Sequence, residues 1–272
     1  MSDTTAPLDR RRPRHILSLI LVGVIGGVLS GAFGVGGGIV MVPLFMWLTG
    51  LDQRRASATS LVAIVPTAIA GSISYLVNGE VDVLAALIIA AGGIGGSFIG
   101  TRLLKSLPLG WLRWLFIALM VLVAVRLFFE VPGRDGELVL SVGTVFALLA
   151  VGLVMGVASG LFGIGGGVVV VPALVAIFGI SDLLAKGTSL LAMVPTALSG
   201  SFFNVRNGLV HPLDGIITGL AATAASFGGV AIAFLLPPRL SAVLFAILVL
   251  VAAAQLTVRA VRAQRAARGS RD

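Results

Sequence analysis

Ser30-Gly-Ala-Phe-Gly-Val-Gly-Gly-Gly-Ile-Val-Met-Val-Pro43 returns 129 positions later as Ser159-Gly-Leu-Phe-Gly-Ile-Gly-Gly-Gly-Val-Val-Val-Val-Pro172. Ten of the fourteen aligned residues are identical, and the other four are small apolar exchanges. The register runs on without a gap: Thr59-Ser60-Leu61 matches Thr188-Ser189-Leu190, Val65-Pro66-Thr67-Ala68 matches Val194-Pro195-Thr196-Ala197, and Asn78-Gly79 matches Asn207-Gly208. One unit is therefore used twice. A glycine-broken apolar segment at the same place in both copies points to a site shared between the halves.

Composition decides the solvent. Hydrophobic residues make up 58% of the 272, charged residues only 11%, and mean hydropathy is +1.11. A soluble domain carries about 25% charged residues, so most of this chain must face lipid. The 36 glycines suit helices whose backbones approach closely. Strand-like alternation is absent, which argues against a barrel. Without cysteine there are no disulfides, thiolate metal sites or thiol nucleophiles. The net charge of +8 gathers at the ends, on Arg10, Arg11, Arg12 and Arg14 and on Arg259, Arg262, Arg265, Arg268 and Arg271. Each cluster abuts an apolar run, so the expected partner is anionic lipid at the cytoplasmic face, not nucleic acid. The first apolar run resembles a signal peptide, but its twin lies mid-chain, so it reads as a retained structural segment.

The apolar runs are Ile16 to Phe33, Gly38 to Thr49, Ala56 to Val77, Val81 to Leu104 and Gly110 to Phe129, then Leu138 to Phe162, Gly167 to Gly179, Leu184 to Val205, Val210 to Leu235 and Leu240 to Val258. Most are long enough to span roughly 30 Å of hydrocarbon, but those from Gly38 and Gly167, at about 12 residues, suit re-entrant half-helices. Loop charges test whether the first unit returns to its starting side. If it returns, Arg54, Arg55, Arg102, Lys105, Arg113 and Arg206 fall inside, while Arg126, Arg134, Lys186 and Arg239 fall outside. If it crosses once, only Arg126, Arg134 and Arg206 are inside. The returning arrangement agrees better with the positive-inside rule, and it makes each half cross an odd number of times.

The expected fold is thus an all-α polytopic membrane protein of two inverted-topology repeats, each a glycine-broken hairpin followed by three transmembrane helices. Its divisions are a basic tail at 1–15, repeat 1 at 16–131, an extracytoplasmic linker at 132–137, repeat 2 at 138–258 and a second basic tail at 259–272. Both tails are expected in the cytoplasm and the protein in the cell membrane. Gly92, Gly96 and Gly100, with Ala221, Ala225 and Gly229 as their counterparts, read as helix-packing ladders. Trp47, Trp111 and Trp114 read as interfacial anchors.

Phe33-Gly34-Val35-Gly36-Gly37-Gly38 is no nucleotide loop, since no Lys-Ser or Lys-Thr follows and no strand or ribose-binding acid frames it. What it can offer is backbone N–H groups at a helix start, approachable through glycine, as an anion site. Phe162, Gly163, Gly165, Gly166 and Gly167 repeat the offer. The next helix adds a small, hydroxyl-bearing stripe with Thr59, Ser60, Pro66 and Thr67, matched by Thr188, Ser189, Pro195 and Thr196. Mid-helix proline frees a carbonyl there. The alternatives are a sharp hairpin for the glycines and packing for the hydroxyls. Charge inside the core reads as nearly absent, with Asp214 as the one intramembrane acid and Arg126 and Arg206 snorkelling from helix ends. His15 and His211 are too few and too scattered for haem, zinc or a Ser-His dyad. No cofactor and no enzyme activity is expected.

The doubled Gly-x-Phe-Gly-[Val/Ile]-Gly-Gly-Gly-x4-Val-Pro element, followed by Thr-Ser and Pro-Thr, resembles the sulfite exporter TauE/SafE family, also called the 4-toluene sulfonate uptake permease family. The resemblance covers Ile16 to Val258. It implies transport of a small anion such as sulfite, an organosulfonate or another sulfur-containing or organic anion, with Gly34 to Gly38 and Gly163 to Gly167 as signature positions. Membrane potential favours export, by about 2.3 kcal/mol per charge per 100 mV. Alternating access, hypothetically with one hairpin gating each face, is the expected mechanism; a cation-coupled uptake permease and an anion channel are the rivals. The coupling ion is left open, as is assembly into a homo-oligomer.

Overall fold

The computed structural model describes residues 13–129 and 141–269. The linker at 132–137, the outer parts of both basic tails and the side chain of Arg126 lie outside the described residues. Within them the chain is helical, which follows from the need to satisfy every backbone polar group internally in lipid. Repeat 1 contains α1 (Pro13–Phe33), α2 (Gly38–Leu44, continuing as a π-helical turn over Phe45–Thr49), α3 (Gln53–Val77), α4 (Val83–Ser106) and α5 (Leu109–Phe129). Repeat 2 follows the same order with α6 (Val142–Phe162), α7 (Gly167–Phe178), α8 (Asp182–Arg206), α9 (Pro212–Leu235) and α10 (Pro238–Gly269). Helix α10 continues past Val258 into the basic segment. Among the described residues, seven helices are long and apolar enough to cross a membrane, while Gly38–Thr49 and Gly167–Phe178 are too short.

Local chemistry sets the helix starts. The side chains of Asp52, Asp82, Ser141 and Ser181 each accept a backbone N–H of the following first turn, as good N-caps do. Gly50 and Gly179 end the two short helices in the left-handed region.

Small residues bring the halves together. A Cβ on Gly23, Gly27 or Gly31 of α1 would strike α9 around Thr218, Ala222 and Ser226 in turn. Gly92, Gly96 and Gly100 of α4 sit in the same way on Leu149, Leu153 and Val157 of α6. Ascending numbers meet ascending numbers, so α1 runs parallel to α9 and α4 parallel to α6. On α3 and α8 the register reverses: Gly71 meets Leu190 and Gly200 meets Leu61, so these two run antiparallel. Gly215 and Gly219 of α9 meet Val62 and Pro66 of α3, a parallel pair. The glycine ladder expected to pack does pack, and its partner rungs from Ala221 to Gly229 lie in the α1–α9 crossing. Leu17, Leu87, Phe146 and Leu220 are exposed on the outer surface, as lipid-facing residues are, and the rings of Trp47 and Trp111 are exposed as well.

Candidate functional site

The two glycine hairpins meet at the centre of the molecule. Gly34, Gly36 and Gly37 take φ of 66°, 76° and 70°, and Gly163, Gly165 and Gly166 take 69°, 77° and 89°, a region that a Cβ makes costly. Gly38 packs on the Gly163 carbonyl and Ile164, and Gly167 packs on the Gly34 carbonyl and Val35. Ser60 Oγ donates to the Gly163 carbonyl at 2.5 Å, and Ser189 Oγ donates to the Gly34 carbonyl at 3.1 Å. Exchanging the halves turns each of these contacts into the other. Gly36 and Gly165 both lie beneath Met193 and Ile64, themselves counterparts. The N-cap residues Gly37 and Gly166 lend no side chain to the first turns of α2 and α7.

The hydroxyl stripe divides by role. Thr67 Oγ1 donates to the Ala63 carbonyl at 2.8 Å and Thr196 Oγ1 to the Ala192 carbonyl at 2.9 Å, each the carbonyl one turn back on its own helix. Those two threonines satisfy backbone. Thr188 Oγ1 accepts the Asp82 N–H at 2.9 Å, tying the α3–α4 loop to α8. Thr59 instead lines a cavity of about 160 Å³ with Leu51, Arg55, Val210, His211 and Asp214. Asp214 is 5% exposed, with Oδ1 at 3.5 Å from His15 Nε2 and 4.0 Å from His211 Nδ1. His15 thus joins His211 and Asp214, from far away in sequence, where α1 and α9 begin. Arg206 is exposed in the last turn of α8, in keeping with a snorkelling side chain.

Phe33 stacks on Phe245 at 4.7 Å between ring centres, and its counterpart Phe162 tilts against Phe116 at 5.4 Å. Beside Phe33 lies a second cavity, of about 40 Å³, lined by apolar residues that include Val35, Pro172, Val175 and Phe245 and by Asp182, Lys186 and Ser241. Lys186 Nζ donates to Asp182 Oδ2 at 3.0 Å and to Ser241 Oγ at 3.2 Å. This corrects two expectations. Lys186 is not in a loop but in the second turn of α8 and 4% exposed; and Asp214 is not the one buried acid, since Asp182 is 3% exposed. The missed signal was Ser181-Asp182-Leu-Leu-Ala-Lys186: an N-cap, then an acid and a base four residues apart on one helix face. At the equivalent positions of repeat 1 stand Gln53 and Ser57, buried at 0% and 1%. Their Gln53 Nε2, Oε1 and Ser57 Oγ make no hydrogen bond among the described residues.

The geometry belongs with a known group of sequences. The family model described as sulfite exporter TauE/SafE matches residues 2–127 and 148–271. Similar proteins include the probable membrane transporter protein YunE of Bacillus subtilis, 28% identical over 78% of this chain and 85% of its own length. A probable membrane transporter protein of Haemophilus influenzae is 32% identical over 73% of this chain and 76% of its own, and one of Xylella fastidiosa is 32% identical over 72% and 77%. With both copies of the hairpin matched, the chain belongs to the TauE/SafE family of membrane transporters.

Proposed function

We propose that this protein is a secondary transporter that moves a small anion, a sulfite, organosulfonate or related organic anion, across the cell membrane, with export as the favoured direction. The observation that carries this reading is the reciprocal meeting of the hairpins, Ser60 on the Gly163 carbonyl and Ser189 on the Gly34 carbonyl. Broken helices from two repeats, abutting with uncapped helix starts, are the usual architecture of a mid-membrane substrate site. The family described as sulfite exporter supports the substrate class. An inside-negative potential drives an anion outward at about 2.3 kcal/mol per charge per 100 mV.

The repeats are inverted, with both termini in the cytoplasm. Helix registers support this. Helix α1 is parallel to α9, α9 is parallel to α3, and α3 is antiparallel to α8, so the two halves start in opposite directions. Thr59 and Lys186 lie near the starts of the antiparallel helices α3 and α8, so their two cavities lie towards opposite ends of that helix pair, an arrangement suited to alternating access.

Flux from proteoliposomes tests the reading with sulfite, sulfate, ethanesulfonate, taurine and lactate. Saturable counterflow of at least one anion is expected, slowed in Ser60→Ala and Ser189→Ala, which cut the cross-hairpin bonds without adding volume. Single-channel currents, or no flux for any of these anions, would overturn it. Orientation is read with Asn78→Cys and Asn207→Cys, exposed counterparts in a cysteine-free chain. They are expected to label from opposite sides of the membrane; labelling from one side would exclude inversion.

A further inference from the structure

The buried pair at Lys186 has a control built into the same molecule. Repeat 1 builds the same hairpin-to-helix junction with Gln53 and Ser57 in place of Asp182 and Lys186. A charge pair is therefore not what this junction needs in order to fold. Nor is it an economical way to stabilise one, since taking two ions out of water costs several kcal/mol each, of order the attraction they regain. The pair is also placed beside the central element. The Cα, Cβ and Cγ of Lys186 lie where a Cβ on Gly34 would fall, so the lysine stem passes directly under the first hairpin glycine. Lys186 lines the same cavity as Asp182 and Ser241, and its apolar walls include Phe33, Val35, Pro172 and Phe245.

We propose that Lys186 is the cation that binds the transported anion, and that Asp182 is its resident counter-ion, displaced when the anion arrives. The proposal rests on the anion-transport reading above. Replacing the Asp182 carboxylate at the ammonium by a monoanion keeps the charge there unchanged. A dianion such as sulfate would bring one more negative charge into this buried space than the carboxylate it displaces. Ser241, 3.2 Å from the ammonium, is within reach to donate its hydroxyl proton to the incoming head group. Asp182 lies in the first turn of α8, where the helix dipole favours its negative charge after it leaves the ammonium. The cavity of about 40 Å³ takes a compact head, and its apolar walls favour a short hydrocarbon body. The ligand class is a short-chain organic monoanion, a sulfonate or carboxylate, bound head-first to Lys186.

The test is binding of ethanesulfonate and of sulfate to the purified full-length protein by calorimetry, with thermal unfolding measured in parallel. Variants are Lys186→Gln, Asp182→Asn and the two together. Removing the internal competitor in Asp182→Asn is expected to tighten ethanesulfonate binding by about tenfold, because the binding-competent ammonium is then always available. Lys186→Gln is expected to weaken it by at least about tenfold, by loss of the charge partner. The double variant is expected to regain most of the unfolding temperature but not the binding. Recovery of wild-type binding in the double variant, or no tightening in Asp182→Asn, would show a structural pair and overturn the proposal. Sulfate bound as tightly as ethanesulfonate would overturn the ligand class. If the wild type moves none of the anions in the flux panel, it is the transport reading that fails, which separates the two.

Discussion

At one register the two repeats give different answers. Where the α3–α4 loop reaches α8, the Asp82 N–H is held by Thr188 and Gly187 lies against the Glu80 carbonyl. Where the α8–α9 loop reaches α3, Thr59 borders an open cavity with His211 and Asp214. Next to the sealed junction is the Asp182–Lys186 pair; next to the open one are the uncharged Gln53 and Ser57. Position 187 is glycine and lies close against the Glu80 carbonyl, whereas its counterpart is Ala58. Scaffold contacts are symmetric, and departures from symmetry gather around the two cavities. A duplicated fold needs its glycine crossings in both copies, whereas a vectorial process needs the two faces to differ.

The largest effects should come from breaking what the halves share. Gly31→Leu and Gly160→Leu each drive a side chain into the backbone of the partner helix, and each is expected to cost at least about 3 kcal/mol, seen as loss of monodisperse protein after solubilisation. Gly95→Leu, in open space, should leave the yield unchanged. A large difference between the first two would break the symmetry argument.

Next come the asymmetric positions. Lys186→Met takes the ammonium away from a buried carboxylate and is expected to cost about 3–5 kcal/mol in thermal or denaturant unfolding. At its counterpart, Ser57→Ala removes a hydroxyl with no partner among the described residues and should cost less than about 1 kcal/mol. Equal losses would mean that the charge is incidental.

The loops give a smaller contrast. Thr188→Val orphans the Asp82 N–H and is expected to cost about 1 kcal/mol. Thr59→Val should stay within about 0.5 kcal/mol in the same unfolding measurement. The smallest expected change sharpens the comparison from the other side. Ala58→Gly gives repeat 1 the glycine that repeat 2 has at 187, and His211→Cys in that background should label about twofold more slowly than with alanine present.

Much of the scaffold is legible in the sequence. Hydropathy marks the spans, the doubled Phe-Gly-x-Gly-Gly-Gly marks both hairpins, and loop arginines favour a returning first unit. Those signals are local or periodic, and each is carried by neighbouring residues. Ser60 and Ser189 were placed in the site, but their bonds to hairpins 103 and 155 residues away were not visible in the chain. Lys186 was misplaced because a lone base near a helix start looks like loop charge until a packed partner surrounds it. His15 and His211 look scattered in the chain, yet packing of α1 on α9 sets His15 beside Asp214, one turn on from His211.

The linear chain by itself determined that this is a doubled, helical, lipid-embedded protein with two glycine-broken segments, because apolar run length and glycine's access to positive φ act within a few residues. Tertiary structure alone decided that the hairpins clasp each other, that an ion pair is buried beside one of them, and that the two loop-to-helix junctions differ. Those outcomes depend on which side chains from remote helices share one enclosed space, and burial turns an ordinary lysine or serine into a group that must find a partner.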